Sequence, residues 1–172
     1  MIRAACILMV LSAPASAGDF RFADFGETCD HVVAPETAAG AVRIPPRLDS
    51  EGLIAFSARV FGKQTDVFYF CRDGKFSMGH YQTALEDAEQ GLETFRSIYD
   101  YYNATYGVPA LDNTPWQFGS TGTFPDEIRK NPNGYYVSWH TPRVMINALF
   151  ARMEVPAEPA WRTLILVDSP PN

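Results

Sequence analysis

Residues 67–81 read VFYFCRDGKFSMGHY, and this stretch decides how the middle of the chain folds. Asp73-Gly74 is typical of a two-residue type I′ turn, because both positions of that turn require a positive φ. Apolar and aromatic residues flank the dipeptide on both sides, as they do in two paired strands. The sequence therefore predicts a β-hairpin with strands at residues 67–72 and 75–81.

A two-residue turn also fixes which residues of the two strands lie opposite each other. Counting outward from the turn places three pairs on one face: Cys71–Phe76, Tyr69–Met78 and Val67–His80. We expect this face to pack against the core. Phe68, Phe70 and Tyr81 then lie on the outer face, which forms either a concave binding surface or a surface covered by the N-terminal segment.

A long helix follows the hairpin, from Ala84 to about Tyr106. Thr83 and Glu86 have the spacing of a capping box, and Gly107 and Pro109 end the helix. Apolar residues recur every three or four positions along one side, which must pack on a sheet to be buried. They are Leu85, Ala88, Leu92, Phe95, Tyr99, Tyr102 and Tyr106.

The other segments predict mainly strands. They are residues 28–33, 53–61, 135–139, 144–152 and 161–168. Residues 108–134 are rich in Pro and Gly, which leaves room only for a helical turn at 126–130. The fold class is therefore α+β, with an antiparallel sheet of about six strands and one long helix packed on one face. No repeat or linker divides residues 18–172, so we expect one domain.

The first seventeen residues have the features of a signal peptide. Arg3 precedes the apolar residues 4–11, and Ala15-Ser16-Ala17 is a typical cleavage site. The apolar run is far shorter than the roughly 20 residues that span a bilayer. We expect cleavage after Ala17 and a periplasmic or secreted protein without a membrane anchor.

Two cysteines remain after the leader, which contains Cys6. In an oxidising compartment Cys29 and Cys71 are expected to form a disulfide. Closing a loop of about 42 residues stabilises a fold by roughly 4 kcal/mol in the chain-entropy treatment. A redox pair or a thiolate metal site is the alternative, but the spacing is not that of C-x-x-C.

Composition narrows the possible partners. The chain has 172 residues, of which 47% are hydrophobic and 20% charged, as in folded proteins. Its net charge of −6 has the wrong sign for nucleic acid or anionic lipid. We therefore expect no partner among nucleic acids or membrane surfaces. Independently of composition, we expect a monomer in solution with another envelope or secreted protein as its partner.

No catalytic or metal-binding pattern stands out. His31, His80 and His140 lie on separate predicted elements and lack the paired spacing of zinc ligands. The G-x-S-x-G turn of many hydrolases is absent from the sequence. We predict no catalytic residue, no metal and no cofactor.

The best candidate binding residues are the aromatic side chains Trp116, Phe118 and Phe124 in the long connection. Long loops in compact domains are often functional, and aromatic side chains are frequent anchors at interfaces. The alternative is that these rings fold back and cover one end of the core.

Four features resemble those of small uncharacterised bacterial periplasmic proteins, over residues 53–150. They are a cysteine-bearing strand, the turn Asp73-Gly74-Lys75, a helix closing in Tyr106-Gly107-Val108-Pro109, and a later strand with Trp139. The resemblance implies a leader and one helix on an antiparallel sheet. It implies no activity and transfers no catalytic residue.

These observations predict a non-enzymatic periplasmic binding or accessory protein, with inhibition of another secreted protein as one form of that role. Two alternatives stay open. One is a small secreted hydrolase whose catalytic residues meet only in the folded chain, around His80 or His140. The other is a carrier that holds a small apolar ligand between helix and sheet, which would require a sizeable cavity.

Overall fold

The computed structural model describes residues 19–45, 51–85, 87–114, 134–153 and 160–170. Within these residues all strands belong to one antiparallel sheet. They are β1 (Val42–Ile44), β2 (Leu53–Val60), β3 (Lys63–Arg72), β4 (Lys75–Leu85), β5 (Leu111–Asp112), β6 (Tyr135–His140), β7 (Met145–Met153) and β8 (Ala160–Asp168).

The strand order is β1-β2-β3-β4-β8-β7-β6-β5. Strands β1–β4 form one run of neighbours, and β5–β8 form a second run in which the order is reversed. The two runs join where β4 pairs with β8, from Met78–Asp168 to Leu85–Trp161. The sheet is therefore continuous across the junction, and the chain crosses it between β4 and β5.

That crossing is made by helix α2 (Ala88–Tyr106), which packs on one face of the sheet against β4, β6, β7 and β8. The helix ends at Gly107 as predicted, with a φ of +82° there. Its predicted start at Ala84 is wrong, because β4 continues to Leu85 and Asp87 is the N-cap. The Asp87 side chain accepts a hydrogen bond from the Gln90 N–H at 2.8 Å.

The α+β prediction is confirmed in its coarse form, but the described residues hold eight strands rather than about six. They also hold a second, short helix, α1 (Val33–Ala38). The predicted strand at residues 28–33 is wrong, since a 3-10 helix (Cys29–Val32) leads directly into α1. The possible helical turn at 126–130 lies outside the described residues.

A β-bulge changes the pairing of the central hairpin. The Asp73-Gly74 turn and the Cys71–Phe76 pair are as predicted, but the register shifts by one residue between Phe70 and Cys71. Tyr69 therefore pairs with Gly79 and Val67 with Tyr81, not with Met78 and His80. Beyond the bulge the faces of β4 are exchanged, so Tyr81 faces the core and His80 lies on the outer face.

The predicted disulfide joins Cys29 to Cys71, with their Cα atoms 6.2 Å apart. It ties the start of the 3-10 helix, and through it α1, to the end of β3. Within the described residues no helix is both long and apolar enough to cross a membrane.

Candidate ligand-binding pocket

A pocket of about 380 Å³ opens on the inner face of the sheet, between the N-terminal segment, the β2–β3 turn and the last two turns of α2. We call it the tyrosine pocket. Its lining residues are Asp19, Phe20, Arg21, Phe22, Arg59, Val60, Phe61, Tyr81, Tyr101, Tyr102, Tyr106, Ile146 and Val167.

The N-terminal wall is a tight turn. Phe20 and Ala23 exchange backbone hydrogen bonds of 3.0 and 2.9 Å, which leaves Arg21 and Phe22 at the tip. Arg21 adopts a φ of +52°, a left-handed conformation that is uncommon for a residue with a Cβ. Strained positions of this kind are concentrated at functional sites.

Phe20 anchors this wall on the sheet. Its ring packs on Tyr81 with a centroid separation of 4.5 Å and lies directly over Gly79, where any Cβ would collide with it. Gly79 therefore provides the space that lets the N-terminal segment reach the inner face. Because Tyr81 shares that face, the segment and the strand together form the floor of the pocket.

The β2–β3 turn forms the opposite wall. Phe61 and Gly62 are its two central residues, with φ values of +49° and +74°. The Phe61 ring meets Tyr101 and Tyr102 of α2 edge-on, at centroid separations of 5.4 and 6.1 Å. This aromatic contact connects the turn to the end of the helix.

A buried ion pair supports the pocket from behind. Glu36 of α1 is 0% exposed, and its Oε1 accepts hydrogen bonds from Arg21 Nε at 2.6 Å and from the Tyr69 hydroxyl at 2.5 Å. Burial acts to lower the pKa of Arg21, but the hydrogen bond and charge of Glu36 outweigh it and raise the pKa above its usual value. Arg21 is therefore held charged and in a fixed orientation.

A second ion pair fastens the N-terminal wall to the β6–β7 connection. Arg143 donates to Asp19 at 2.5 Å and to Asp24 at 2.9 Å. Asp19 is thus ion-paired with Arg143, as Arg21 is with Glu36. Arg59 is exposed and belongs to the edge of the pocket.

The tyrosine hydroxyls keep their protons. Burial raises the pKa values of Tyr81, Tyr102 and Tyr106, and for Tyr81 it outweighs the opposite effect of the Arg21 charge. Among the described residues these three hydroxyls have no hydrogen-bond partner, and neither do the terminal nitrogens of Arg21. The pocket therefore offers several unused donors beside aromatic ring faces.

The predicted aromatic binding residues Trp116, Phe118 and Phe124 lie outside the described residues, and the prediction that they bind a partner remains a prediction. Of the predicted outer-face group, Phe68 and Phe70 do lie on the outer face. Tyr81 does not, and the N-terminal segment covers the inner face rather than the outer one.

The histidines are dispersed. His31 lies in the 3-10 helix, His80 in the middle of β4, and His140 at the end of β6. No group of three or more His, Cys, Asp or Glu side chains in the described part of the chain could hold a metal ion.

Ser138 and His140 form the arrangement closest to a hydrolase site, with Ser138 Oγ and His140 Nε2 2.8 Å apart. The Ser138 hydroxyl donates its proton to Asn147 Oδ1 at 2.8 Å, so the imidazole acts as donor to Ser138. A nucleophile needs the opposite polarity, with the base accepting the hydroxyl proton. Ser138 is also fully buried, which removes it from any substrate.

Sequence reasoning missed the pocket because the bulge moved Tyr81 to the inner face and because Arg21 and Glu36 belong to no recognisable motif. Two signals pointed towards it. Gly79 within a strand indicates a bulge or a close approach. The end of α2 also contains more tyrosines than its apolar stripe requires, since Tyr101 lies outside that stripe.

Comparisons with protein-family models, with curated proteins and with solved structures found no match to this chain. The resemblance to small periplasmic proteins therefore remains a prediction, and the site has to be interpreted from its own geometry.

Proposed function

We propose that this protein is a periplasmic or secreted binding protein that holds a small, single-ring ligand in the tyrosine pocket. The observation that carries the proposal is a 380 Å³ cavity in which phenol hydroxyls without a partner among the described residues lie beside aromatic faces. Ligand sites combine mostly apolar walls with a few convergent polar groups, and this volume is near the lower end of their range of about 300–1,000 Å³. One ring with a polar substituent matches both properties.

This proposal modifies two of the sequence-based expectations. A carrier with a ligand between helix and sheet agrees with the place of the pocket, but the hydroxyls and Arg21 favour a ligand with a hydrogen-bonding group over a purely apolar one. The expectation of a protein partner bound through Trp116, Phe118 and Phe124 is independent of the pocket.

The disulfide supports an exported location for this binding role. Stable disulfides are typical of oxidising compartments such as the periplasm. The Cys29–Cys71 bond also constrains the segment that leads to Glu36, and Glu36 in turn holds Arg21. The bond thus contributes to the rigidity of the pocket.

Ligand-observed NMR with a library of neutral and charged single-ring compounds tests the proposal. We expect several compounds to bind the wild type and to bind the double variant Tyr81→Phe/Tyr102→Phe at least about tenfold more weakly, because two hydroxyl donors are lost. Tyr136→Phe is the matched control, since that hydroxyl donates to Asn147 on the outer face. Equal binding to the wild type and the double variant would refute a role for the pocket.

A further inference from the structure

We infer that the ligand of the tyrosine pocket carries a carboxylate, which Arg21 binds through its two terminal nitrogens. This inference rests on the proposed function and names the chemical class of its ligand: a small ring carboxylate. It is argued from the donors that the pocket leaves unused.

Arg21 is the central group. Its Nε is used by Glu36 and its guanidinium plane lies over the Phe22 ring, 4.8 Å from the centroid. These two contacts fix the plane while leaving the Nη1 and Nη2 edge without a partner among the described residues. A guanidinium edge is suited to a two-point hydrogen-bonded contact with a carboxylate.

The neutral groups around Arg21 favour the same ligand chemistry. The raised pKa values of Tyr81, Tyr102 and Tyr106 keep their hydroxyls protonated, so each can donate to an oxygen. The carboxylate in the pocket lining, Asp19, already accepts from Arg143 and from the Phe25 N–H. The tyrosine hydroxyls are therefore available as donors, whereas the Asp19 carboxylate is already engaged as an acceptor. This balance favours a ligand group that is rich in acceptors.

Glu36 is a positioning residue in this account. It sits behind Arg21, hydrogen-bonded through Oε1, and does not line the pocket. Two features set the arrangement apart from an ordinary structural ion pair: the left-handed backbone of Arg21, and a guanidinium edge that contacts no acceptor in the part of the chain that the structure describes. A turn that holds the guanidinium edge ready for a ligand explains both the unusual backbone conformation and the lack of a protein acceptor at that edge.

Isothermal titration calorimetry of the full chain with benzoate and with benzamide tests the inference. The two probes share ring and shape, but only benzoate carries the negative charge. We expect benzoate to bind at least about tenfold more tightly, as a charge-assisted two-point contact requires. Arg21→Lys keeps a cation beside Glu36 but removes the guanidinium edge, so the ratio of benzoate affinity to benzamide affinity should fall to about twofold or less.

Arg162→Lys makes the same exchange on the outer face and should keep the wild-type preference. Equal binding of the two probes to wild type would overturn the carboxylate inference and leave the binding function intact. If neither probe binds, the carboxylate inference is also overturned. The library of single-ring compounds then decides whether the proposed binding function fails as well. Should Arg21→Lys not fold, the ratio measured on wild type decides alone.

Discussion

The two ends of α2 lie on the same sheet but have different surroundings. At the first end, Phe95 and Ile98 are almost completely buried, and a Cβ at Gly91 would collide with the Phe150 ring. At the other end, Tyr102 and Tyr106 border an open pocket with unpartnered hydroxyls. The first end is packed for stability, whereas the second end keeps space and hydrogen-bonding groups, as a binding site does.

The largest expected effect is at the packed end. Phe95→Ala removes a fully buried ring that contacts Phe150 at a centroid separation of 6.0 Å, and should lower the free energy of unfolding by about 4 kcal/mol. Urea unfolding measures this loss, and ligand affinity should stay within about twofold of wild type. If the ligand affinity fell together with the stability, the packed end of α2 and the pocket end would not be functionally independent.

The next effect concerns the support behind the pocket. Glu36→Gln removes the fully buried charge that pairs with partly buried Arg21 and should cost about 3 kcal/mol of unfolding free energy. Asp100→Asn is the control, since its pair with Arg96 is 4.0 Å long and mostly exposed and should contribute less than about 0.5 kcal/mol. Similar losses in the two variants, measured by chemical unfolding, would show that burial of Glu36 has no special role.

A third effect is a pH dependence of stability that arises from a histidine on the outer face of the sheet. His80 lies against Phe68 on the outer face, and burial lowers the pKa of its imidazole to about 4. The unfolded chain takes up this proton near pH 6.5 and the folded chain only near pH 4, so stability falls as the pH drops between these values.

Lowering the pH from 7.5 to 5 should therefore reduce the free energy of unfolding by about 2 kcal/mol through the protonation of His80 in the unfolded chain. His80→Gln removes this part of the pH dependence, whereas His31→Gln keeps it because His31 is exposed. Urea unfolding at the two pH values gives the comparison. If His80→Gln kept the wild-type pH dependence, the claim that burial keeps His80 neutral in the folded chain would be contradicted.

The smallest stability effect is expected at the open end. Tyr102→Phe keeps the ring that packs on Trp139 at a centroid separation of 5.4 Å and removes only a hydroxyl that has no hydrogen-bond partner within the described ranges. The free energy of unfolding should change by less than about 0.5 kcal/mol. A loss above about 1.5 kcal/mol in thermal or chemical unfolding would mean that the hydroxyl has a structural partner.

Local chemistry made part of the fold predictable. Asp73-Gly74 fixed the turn, Gly107 ended α2, and the two cysteines outside the predicted leader predicted the disulfide correctly. Each of these features depends on one or two residues and a general rule of backbone or thiol chemistry.

The rest depended on tertiary contacts. The register shifts after Phe70, and the Phe20 ring packs over Gly79 on the same strand pair, a contact between segments about 60 residues apart. The sequence predicted a strand at residues 28–33 and no element for the rest of α1, whose Glu36 contacts Arg21 and Tyr69 only in the folded chain. The lining of the tyrosine pocket comes from segments far apart in sequence, so local patterns such as Gly79 in a strand could hint at a close approach but could not assemble the site.

Chemical-shift mapping tests the central claim most directly. Amide spectra of the protein titrated with benzoate should show saturable shifts at residues 19–22, 59–61 and 101–106, while the amides of residues 88–95 at the packed end stay unchanged. Shifts confined to the packed end or the outer face, or no saturable shifts with benzoate or with any ring of the library, would contradict the account of the tyrosine pocket as the binding site.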